Sequence, residues 1–356
     1  MCEIVVCMTT KEQYEAFIRQ FPDLPVMLQP WWLDAVCAGK QWDVMLVTRG
    51  ELKSTGWWQR KKARQDEPAE GDNEIVAAMP YLLRKRLGYQ YILTPQMTLY
   101  SGVWMNSDIF GSPDLQKQLA KVIAKKLRAM RISYFYQHFP TGNPLPHWLA
   151  EQGFNVEQRV TYRIDDLTTV DEPEDSFSKN KKRQLHKAED LQLDQDMSAE
   201  AFYAFHKQCM AERNLKLSYS REFLLVLERK TRRAGNSAIL RITRQAGDEP
   251  SDRQTVAAAY VVWDKRYLYY LIPAYLPSAA DTGASARLAD EAIHLAKEKG
   301  LLFDFEGGND NEGIANHYKQ FGAKPATYCS VSKIYRPSFA MMLRLNKLQE
   351  KLKGIR

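Results

Sequence analysis

The stretch of this 356-residue chain with the clearest capacity for chemistry is an apolar run that ends in two acids and two glycines. Residues 301–308 read LLFDFEGG. Alternation along a strand places Asp304 and Glu306 on one side, where two carboxylates repel, so one of them meets a cation or keeps a raised pKa. Gly307 and Gly308 allow unusual backbone conformations and close approach of a ligand. A strand end salt-bridged to nearby lysine or arginine explains the same residues.

A helix with a lysine beside its apolar stripe follows this turn. Ile314, Tyr318 and Phe321 recur at helical spacing and predict the buried face. Lys319 lies about 100° around the helix from Tyr318, and therefore beside the stripe. No Ser-His-Asp or Cys-His arrangement is recognisable in the sequence.

A basic segment, SKNKKRQLHKAED at 178–190, offers a binding surface for anions. Ser178 can cap a helix in which Arg183 and Lys187 lie four residues apart on one face. Two cations on one face suit a diphosphate or an RNA backbone. A solvated helix that neutralises the preceding acids is the alternative.

A second anion site is predicted at the start of another helix. Gly283, Ala284 and Ser285 are small residues that leave the helix N-terminus open, so its free N–H groups can meet a phosphate. Close packing of the helix on a sheet explains the same residues equally well.

The elements that position these residues form an internal repeat along the chain. Residues 76–92 resemble 256–272, each reading as a strand, a basic turn and an aromatic strand. Residues 115–137 parallel 285–306, each reading as an amphipathic helix followed by a strand. A short helix closed by glycine comes next in each half. The repeated order predicts two similar domains, each with a mostly antiparallel sheet and one long crossing helix.

The predicted division of the chain is an N-terminal domain over 1–165, a C-terminal domain over 166–335 and a C-terminal helix over 336–356. In that last segment Met341, Leu345, Leu348 and Leu352 share one face. A basic amphipathic helix of this kind can lie on an anionic membrane. Docking onto the body of the protein is the alternative.

Composition indicates a folded protein of the cytoplasm. Apolar residues make up 45% of the chain, the net charge is +7, and the five cysteines form no C-x-x-C pair. The six histidines show no ligand-like spacing, so no metal site is expected. The N-terminus lacks the pattern of a signal peptide, and no stretch reaches the ~18 apolar residues of a membrane span. The charge permits anionic ligands without requiring them.

The order of elements in each half resembles a GNAT-type acyltransferase domain. More narrowly, SKNKKRQLHKAED, the GAS-initiated helix and FDFEGG…NHYKQFG resemble the Fem-type (FemABX) peptidyltransferases, most strongly from about 175 to 330. The resemblance implies an α/β (mixed α+β) fold of two GNAT-like domains in tandem. It also implies an enzyme that passes an acyl or aminoacyl group to an amine on a cell-wall precursor, with Asp304 or Glu306 steering or deprotonating that amine.

The resemblance also implies roles for particular residues. The Tyr318-Lys319 pair matches the family's aromatic-lysine pair, so Lys319 is expected to reach the reacting carbonyl, where a cation would stabilise the oxyanion of the tetrahedral intermediate. Arg183 and Lys187 are expected to bind a substrate phosphate. The turn at 283–285 corresponds to the one that cradles the pyrophosphate of coenzyme A in a GNAT domain.

Two residues of the N-terminal half complete the predicted site. MLQPWWLDAVCAGKQW (27–42) resembles the family's glutamine–tryptophan segment through Gln29 and Trp32, which makes Trp32 a candidate for substrate binding. Packing in the core is the alternative. Tyr100, in LYSGVW, is a candidate for lining an acceptor groove, with loop packing as the alternative.

The expected function is a Fem-type N-acyltransferase in the cytoplasm, at the inner face of the membrane. It would move an aminoacyl group from aminoacyl-tRNA, or an acyl group from acyl-CoA, onto an amine of a peptidoglycan or other cell-envelope precursor, with no tightly bound cofactor. No segment sustains the heptads of the coiled-coil arm that some Fem-type proteins carry, which weakens the case for tRNA. One alternative is an acyl-CoA-dependent enzyme acting on a small-molecule or glycan amine. Another is a non-catalytic RNA- or glycan-binding protein on the same scaffold.

Overall fold

The computed structural model describes most of the chain, namely residues 8–37, 42–53, 71–249, 252–308 and 311–342. The chain divides into two compact units, both discontinuous in sequence. The first comprises Met1–Phe21, Gly39–Arg159 and Thr327–Arg356, and the second comprises Pro22–Ala38 and Val160–Ala326. The helix predicted over 336–356 lies outside the described residues beyond position 342.

Helices and strands are interspersed along the described chain. The elements of the first part are α1 (Thr10–Ile18), α2 (Pro30–Val36), β1 (Trp42–Thr48), α3 (Arg49–Lys53), β2 (Ile75–Arg86), β3 (Tyr89–Leu93), β4 (Trp104–Met105), α4 (Ser107–Phe110), α5 (Pro113–Ala129), β5 (Tyr134–Phe139), α6 (Leu145–Glu151) and β6 (Asn155–Ile164). The elements of the second part are α7 (Lys179–His186), β7 (Gln192–Asp194), α8 (Ala199–Ala211), α9 (Arg221–Arg233), β8 (Ser237–Gln245), β9 (Arg253–Trp263), β10 (Tyr267–Tyr275), α10 (Ala284–Glu298), β11 (Leu302–Asp304), α11 (Glu312–Lys319) and β12 (Lys324–Ile334).

The sheet of the first unit has the strand order β1-β2-β3-β5-β12, and β4 pairs with β2. Its pairs are antiparallel except for β3 and β5, which run parallel with Tyr91 opposite Tyr134. A parallel pair needs a crossover, and α5 lies in the connection between β3 and β5. The α5 residues Leu119, Ile123 and Leu127 are fully buried in the core of this unit.

The sheet of the second unit has the order β6-β11-β10-β9-β8-β7. Its one parallel pair joins β10 to β11, with Tyr267 opposite Leu302, and its other pairs are antiparallel. The crossover helix here is α10, which packs on β8, β9 and β10. Its alanines at 286, 289, 292 and 296 are buried and keep the helix close to the sheet.

The two units therefore repeat one topology. In each, three antiparallel strands lead through one long helix into a strand that is parallel to the third. The sequence prediction of two GNAT-like domains in tandem, each a mostly antiparallel mixed sheet flanked by helices, is confirmed at the level of the fold.

The compact units are bounded differently from the predicted domains at two segments. Pro22–Ala38 belongs to the second unit, because α2 packs on α9 and the backbone N–H of Val26 donates to Asp264 at 3.1 Å. The chain from Thr327 onward belongs to the first unit, because β12 pairs with β5. Within the described residues, no helix is both long enough and apolar enough to span a membrane.

Candidate functional site

The acid–glycine turn after β11 is built on a buried ion pair. Asp304 is completely buried, and its Oδ2 accepts a hydrogen bond of 2.8 Å from Arg163 Nε on the neighbouring strand β6. Its Oδ1 accepts hydrogen bonds from Thr161 Oγ1 at 2.5 Å and from the backbone N–H of Glu306 at 2.8 Å. Asp304 is therefore salt-bridged, which is the alternative interpretation of this strand end. Asp304 holds the turn and faces no open space, so a direct catalytic role does not fit its burial.

Glu306 is presented differently by the same turn. Its φ is +55°, a left-handed conformation that is uncommon outside glycine, and the hydrogen bonds of Asp304 and Thr161 to residues 306 and 307 hold it there. Its Oε1 is closed to solvent and has no hydrogen-bond partner among the described residues. Burial, with a smaller contribution from Asp304, holds the pKa of the Glu306 carboxyl well above its usual range. A carboxylate of raised pKa is a stronger proton acceptor.

The two glycines of the turn have different surroundings. Gly308, at φ +105°, lies against Tyr162, since a Cβ at this position would be 3.0 Å from the ring. Gly307, at φ +136°, has open space around it, and its N–H donates to Thr161 Oγ1 at 3.1 Å. Gly308 therefore allows the backbone to approach the protein's own Tyr162 closely, whereas Gly307 has open space on its Cβ side.

Tyr318 and Lys319 lie next to this turn. The Tyr318 ring stacks on Phe305 with 4.2 Å between centroids and tilts against Tyr162 at 6.1 Å. Burial raises the pKa of the Tyr318 phenol to about 12, so its hydroxyl stays a proton donor. Lys319 is exposed, and its Nζ lies 5.8 Å from the centroid of the Tyr162 ring. The structure thus brings Glu306, Tyr318 and Lys319 together around Tyr162.

A cavity of about 500 Å³ opens beside Tyr318, wholly within the second unit. Its lining residues are His206, Cys209, Met210, Arg213, Tyr270, Pro273, Ala274, Tyr275, Ser285, Leu288, Asn311, Gly313, Ile314, His317 and Tyr318. Ile314 was predicted to be core, but it is 42% exposed because it faces this cavity. Of the predicted site residues, Tyr318 and Ser285 line the cavity and Lys319 lies outside it. A cavity of this volume suits a small substrate group.

The start of α10 is closed by the protein itself. Gly283 has φ +77°, and a Cβ there would lie 2.2 Å from the carbonyl oxygen of Gln184 in α7. Ala284 is buried and its N–H donates to Thr282 Oγ1 at 3.3 Å. Ser285 is half-buried and faces the cavity. Gly283 and Ala284 are therefore closely packed, as the packing alternative expects. Of these three residues, only Ser285 is accessible from the cavity.

Gly283→Ala should lower the free energy of unfolding by roughly 3 kcal/mol, because the left-handed backbone costs about 1–2 kcal/mol and the overlap with a backbone carbonyl costs more. The matched control is Gly235→Ala, at φ +72° with nothing within 4 Å of its Cβ position. Urea unfolding of both variants gives the difference. Equal losses in the two variants would contradict the close packing of α7 on Gly283.

The basic helix α7 points its predicted ligands to solvent. Arg183 and Lys187 are both exposed, and Arg183 donates to Asn180 at 3.0 Å. The cap predicted at Ser178 is present, since its hydroxyl accepts from the N–H of Lys181. Neither cation lines the cavity. Phosphate binding by Arg183 and Lys187 stays a prediction, with an accessible surface available for it.

The two candidates at the N-terminal end of the chain are buried. Trp32 has no exposed surface and packs edge-on to Trp31. Tyr100 is 1% exposed and meets Tyr328 edge-on, in the first unit. Burial leaves neither ring a free surface for substrate, as the packing alternatives expected.

One group in the described residues has the spacing of metal ligands. Ligand atoms of Glu172, Glu174 and His294 lie within 4.8 Å of one another. Hydrogen bonding to Asp290 raises the pKa of His294 to about 9, and its Nε2 lies 3.3 Å from Glu174. Ion pairing of a protonated His294 accounts for the arrangement without an ion.

The residues that support the site could not be identified from the sequence. Thr161 and Arg163 are separated from Asp304 by 143 and 141 residues, and no local pattern connects them. Lys181, one of five cations within nine residues, is the fully buried one, and it contacts His317 at the cavity wall. His317, next to Tyr318 on the same helix, can be seen in the sequence, but its contact with Lys181 cannot.

Comparison with known proteins bears on the fold. Residues 175–320 match the acetyltransferase (GNAT) domain family. The crystal structure of FemX is similar, with a TM-score of 0.65, 12% identity, and coverage of 94% of this chain and 98% of that chain. No curated protein sequence matches the chain.

Two further solved structures are more distant. One is a tandem GNAT protein from the clavulanic acid biosynthesis pathway, with a TM-score of 0.47, 11% identity, and coverage of 83% and 99%. The other is the C-terminal domain of a putative lysylphosphatidylglycerol synthetase from Agrobacterium fabrum, with a TM-score of 0.49, 10% identity, and coverage of 76% and 85%. At these scores neither likeness adds to the argument.

Proposed function

We propose that this chain, which has the Fem-type fold of two GNAT-like domains in tandem, is an N-acyltransferase. In the proposed reaction an aminoacyl group passes from aminoacyl-tRNA to an amine of a peptidoglycan or other cell-envelope precursor. The observation that carries the proposal is the 500 Å³ cavity lined by Tyr318, inside the segment that matches the GNAT acetyltransferase family. A lipid-linked acceptor would be met at the inner face of the membrane.

The reaction is an aminolysis. The amine nitrogen attacks the carbonyl carbon of the aminoacyl ester, a C–N bond forms, and the carbonyl π electrons move to oxygen. Collapse of this tetrahedral intermediate restores the carbonyl and breaks the ester C–O bond. The proton lost by the amine leaves with the ribose oxygen, so the products are an amide and a free tRNA hydroxyl.

Three residues around Tyr162 have properties that suit these steps. Glu306, whose Oε1 has no hydrogen-bond partner among the described residues and whose pKa is raised, is the proposed acceptor of the amine proton. Tyr318 lines the cavity, and its raised pKa keeps the phenol protonated, so that it can donate. Lys319 is the proposed cation for the oxyanion, and its exposed side chain can reach over Tyr162 toward the turn.

The donor is inferred from the closed start of α10. A pyrophosphate bound at a helix N-terminus needs accessible backbone N–H groups. Here Gly283 lies under the Gln184 carbonyl and the Ala284 N–H is engaged by Thr282. This packing supports an aminoacyl ester over a coenzyme A thioester as the donor.

A second candidate donor is acyl-CoA, because the matched family is one of acetyltransferases. Incubation of the purified protein with radiolabelled aminoacyl-tRNA, or with radiolabelled acetyl-CoA, and an extract of envelope precursors separates the two. We expect acid-stable, amide-linked label from aminoacyl-tRNA and none from acetyl-CoA. Label from acetyl-CoA alone would replace the proposed donor, and label from neither would reject the transfer.

A further inference from the structure

The wall of the cavity contains a histidine, His317, whose Nδ1 contacts a buried lysine. Lys181 has no exposed surface, although it lies in the strongly basic helix α7. Its Nζ lies 3.2 Å from Nδ1 of His317 in α11 and 2.8 Å from Oε1 of Gln184. His317 itself lines the cavity.

The surroundings of Lys181 suit an ammonium group. An ammonium has three N–H donors and no acceptor, and a buried cation needs partners for them. Gln184 Oε1 and His317 Nδ1 accept two, and the face of the Phe321 ring, 4.4 Å from Nζ, receives the third. Burial lowers the pKa of Lys181 to about 8, which leaves it mostly protonated at neutral pH.

The state of His317 follows from that of Lys181. A nitrogen that accepts from an ammonium carries a lone pair, so the single proton of a neutral imidazole must sit on the other nitrogen. Burial, together with the nearby Lys181 charge, lowers the pKa of His317 to about 4, so the ring is neutral at pH 7. Among the described residues, the hydrogen bond found for the His317 ring is the one at Nδ1.

We infer that Lys181 fixes His317 as the Nε2–H tautomer, so that the cavity contains a neutral hydrogen-bond donor for an acceptor oxygen of the bound substrate. The identity of that oxygen rests on the proposed function, in which it is the carbonyl oxygen of the aminoacyl ester. His317 then acts as a donor alongside Tyr318, and does not act as the base. Lys181 is a positioning residue that acts through the imidazole.

Nuclear magnetic resonance of protein labelled with ¹⁵N in its histidine rings tests the tautomer without any assay of transfer. The His317→Gln variant assigns the His317 signals among those of the six histidines. At pH 7 we expect a protonated Nε2, an unprotonated Nδ1 and a correlation from the Lys181 ammonium protons to Nδ1. An Nδ1–H tautomer or an imidazolium would overturn the inference. Because the wild-type protein decides this point, poor folding of a variant cannot remove the test.

Three variants then test the consequence for catalysis. Lys181→Met keeps the length of the side chain without its donors, and should produce a mixture of His317 tautomers together with a lower kcat at similar KM. His317→Phe should lower kcat by about 10²-fold, and His317→Gln, which keeps an N–H donor, should recover part of it. An unchanged tautomer in Lys181→Met would remove the role of Lys181. Absence of transfer by the wild-type protein would reject the proposed function and leave the tautomer result standing.

Discussion

Replacing Lys319 with alanine is expected to lower kcat of acyl transfer by about 10²-fold while the fold stays intact, because the proposed oxyanion loses its cation. Lys319 is exposed on the last turn of α11 and makes its ring contact with Tyr162 from outside the core. Its removal therefore costs no buried contact. Steady-state transfer kinetics give kcat, and thermal unfolding checks the fold.

Lys216→Ala is the matched control for this substitution. It removes the same charge from an exposed position of the same compact unit. We expect wild-type kcat in this variant, and partial activity in Lys319→Arg, which keeps the charge. If Lys319→Ala turns over as fast as Lys216→Ala, Lys319 has no part in the mechanism.

Asp304→Ala should lower the free energy of unfolding by about 3–5 kcal/mol, because it removes the carboxylate partner of the buried Arg163 guanidinium. Arg163 is 7% exposed and Asp304 is fully buried, so water cannot replace the lost carboxylate. The substitution also removes the acceptor for Thr161 and for the N–H of Glu306. The turn that presents Glu306 should loosen, so transfer should fall as well.

The comparison that isolates burial is Asp166→Ala. Asp166 also pairs with a cation, Lys324 at 3.0 Å, but the two side chains are 50% and 75% exposed. A surface pair of this kind contributes about 0–1 kcal/mol. Chemical denaturation should rank Asp304→Ala well below Asp166→Ala in stability. Comparable losses would show that the buried pair does not hold the turn.

The sequence predicted the fold through periodicity that is local. Strand, hairpin and long helix follow one another in 76–137 and again in 256–306, and each of these elements is present in the structure. The helix that carries Tyr318 and Lys319 was likewise read from spacing alone, although Ile314 faces the cavity instead of the core. Such features depend on neighbours within a few residues.

The features that the sequence could not predict depend on distant partners. Two acids two residues apart look alike in a strand, but only Asp304 meets Arg163, and Glu306 is left without a partner for Oε1 among the described residues. Likewise the charge run SKNKKR does not reveal that Lys181 is the buried cation. The placement of 22–38 in the second unit depends on α2 packing against α9, far along the chain.

The most direct test of the account is mass spectrometry of cell-envelope precursors from cells with and without this protein. We predict that precursors gain the mass of one aminoacyl residue on an amine only when the protein is present, and that Lys319→Ala does not restore the gain. Identical precursor masses in the two kinds of cell would contradict transfer to the envelope.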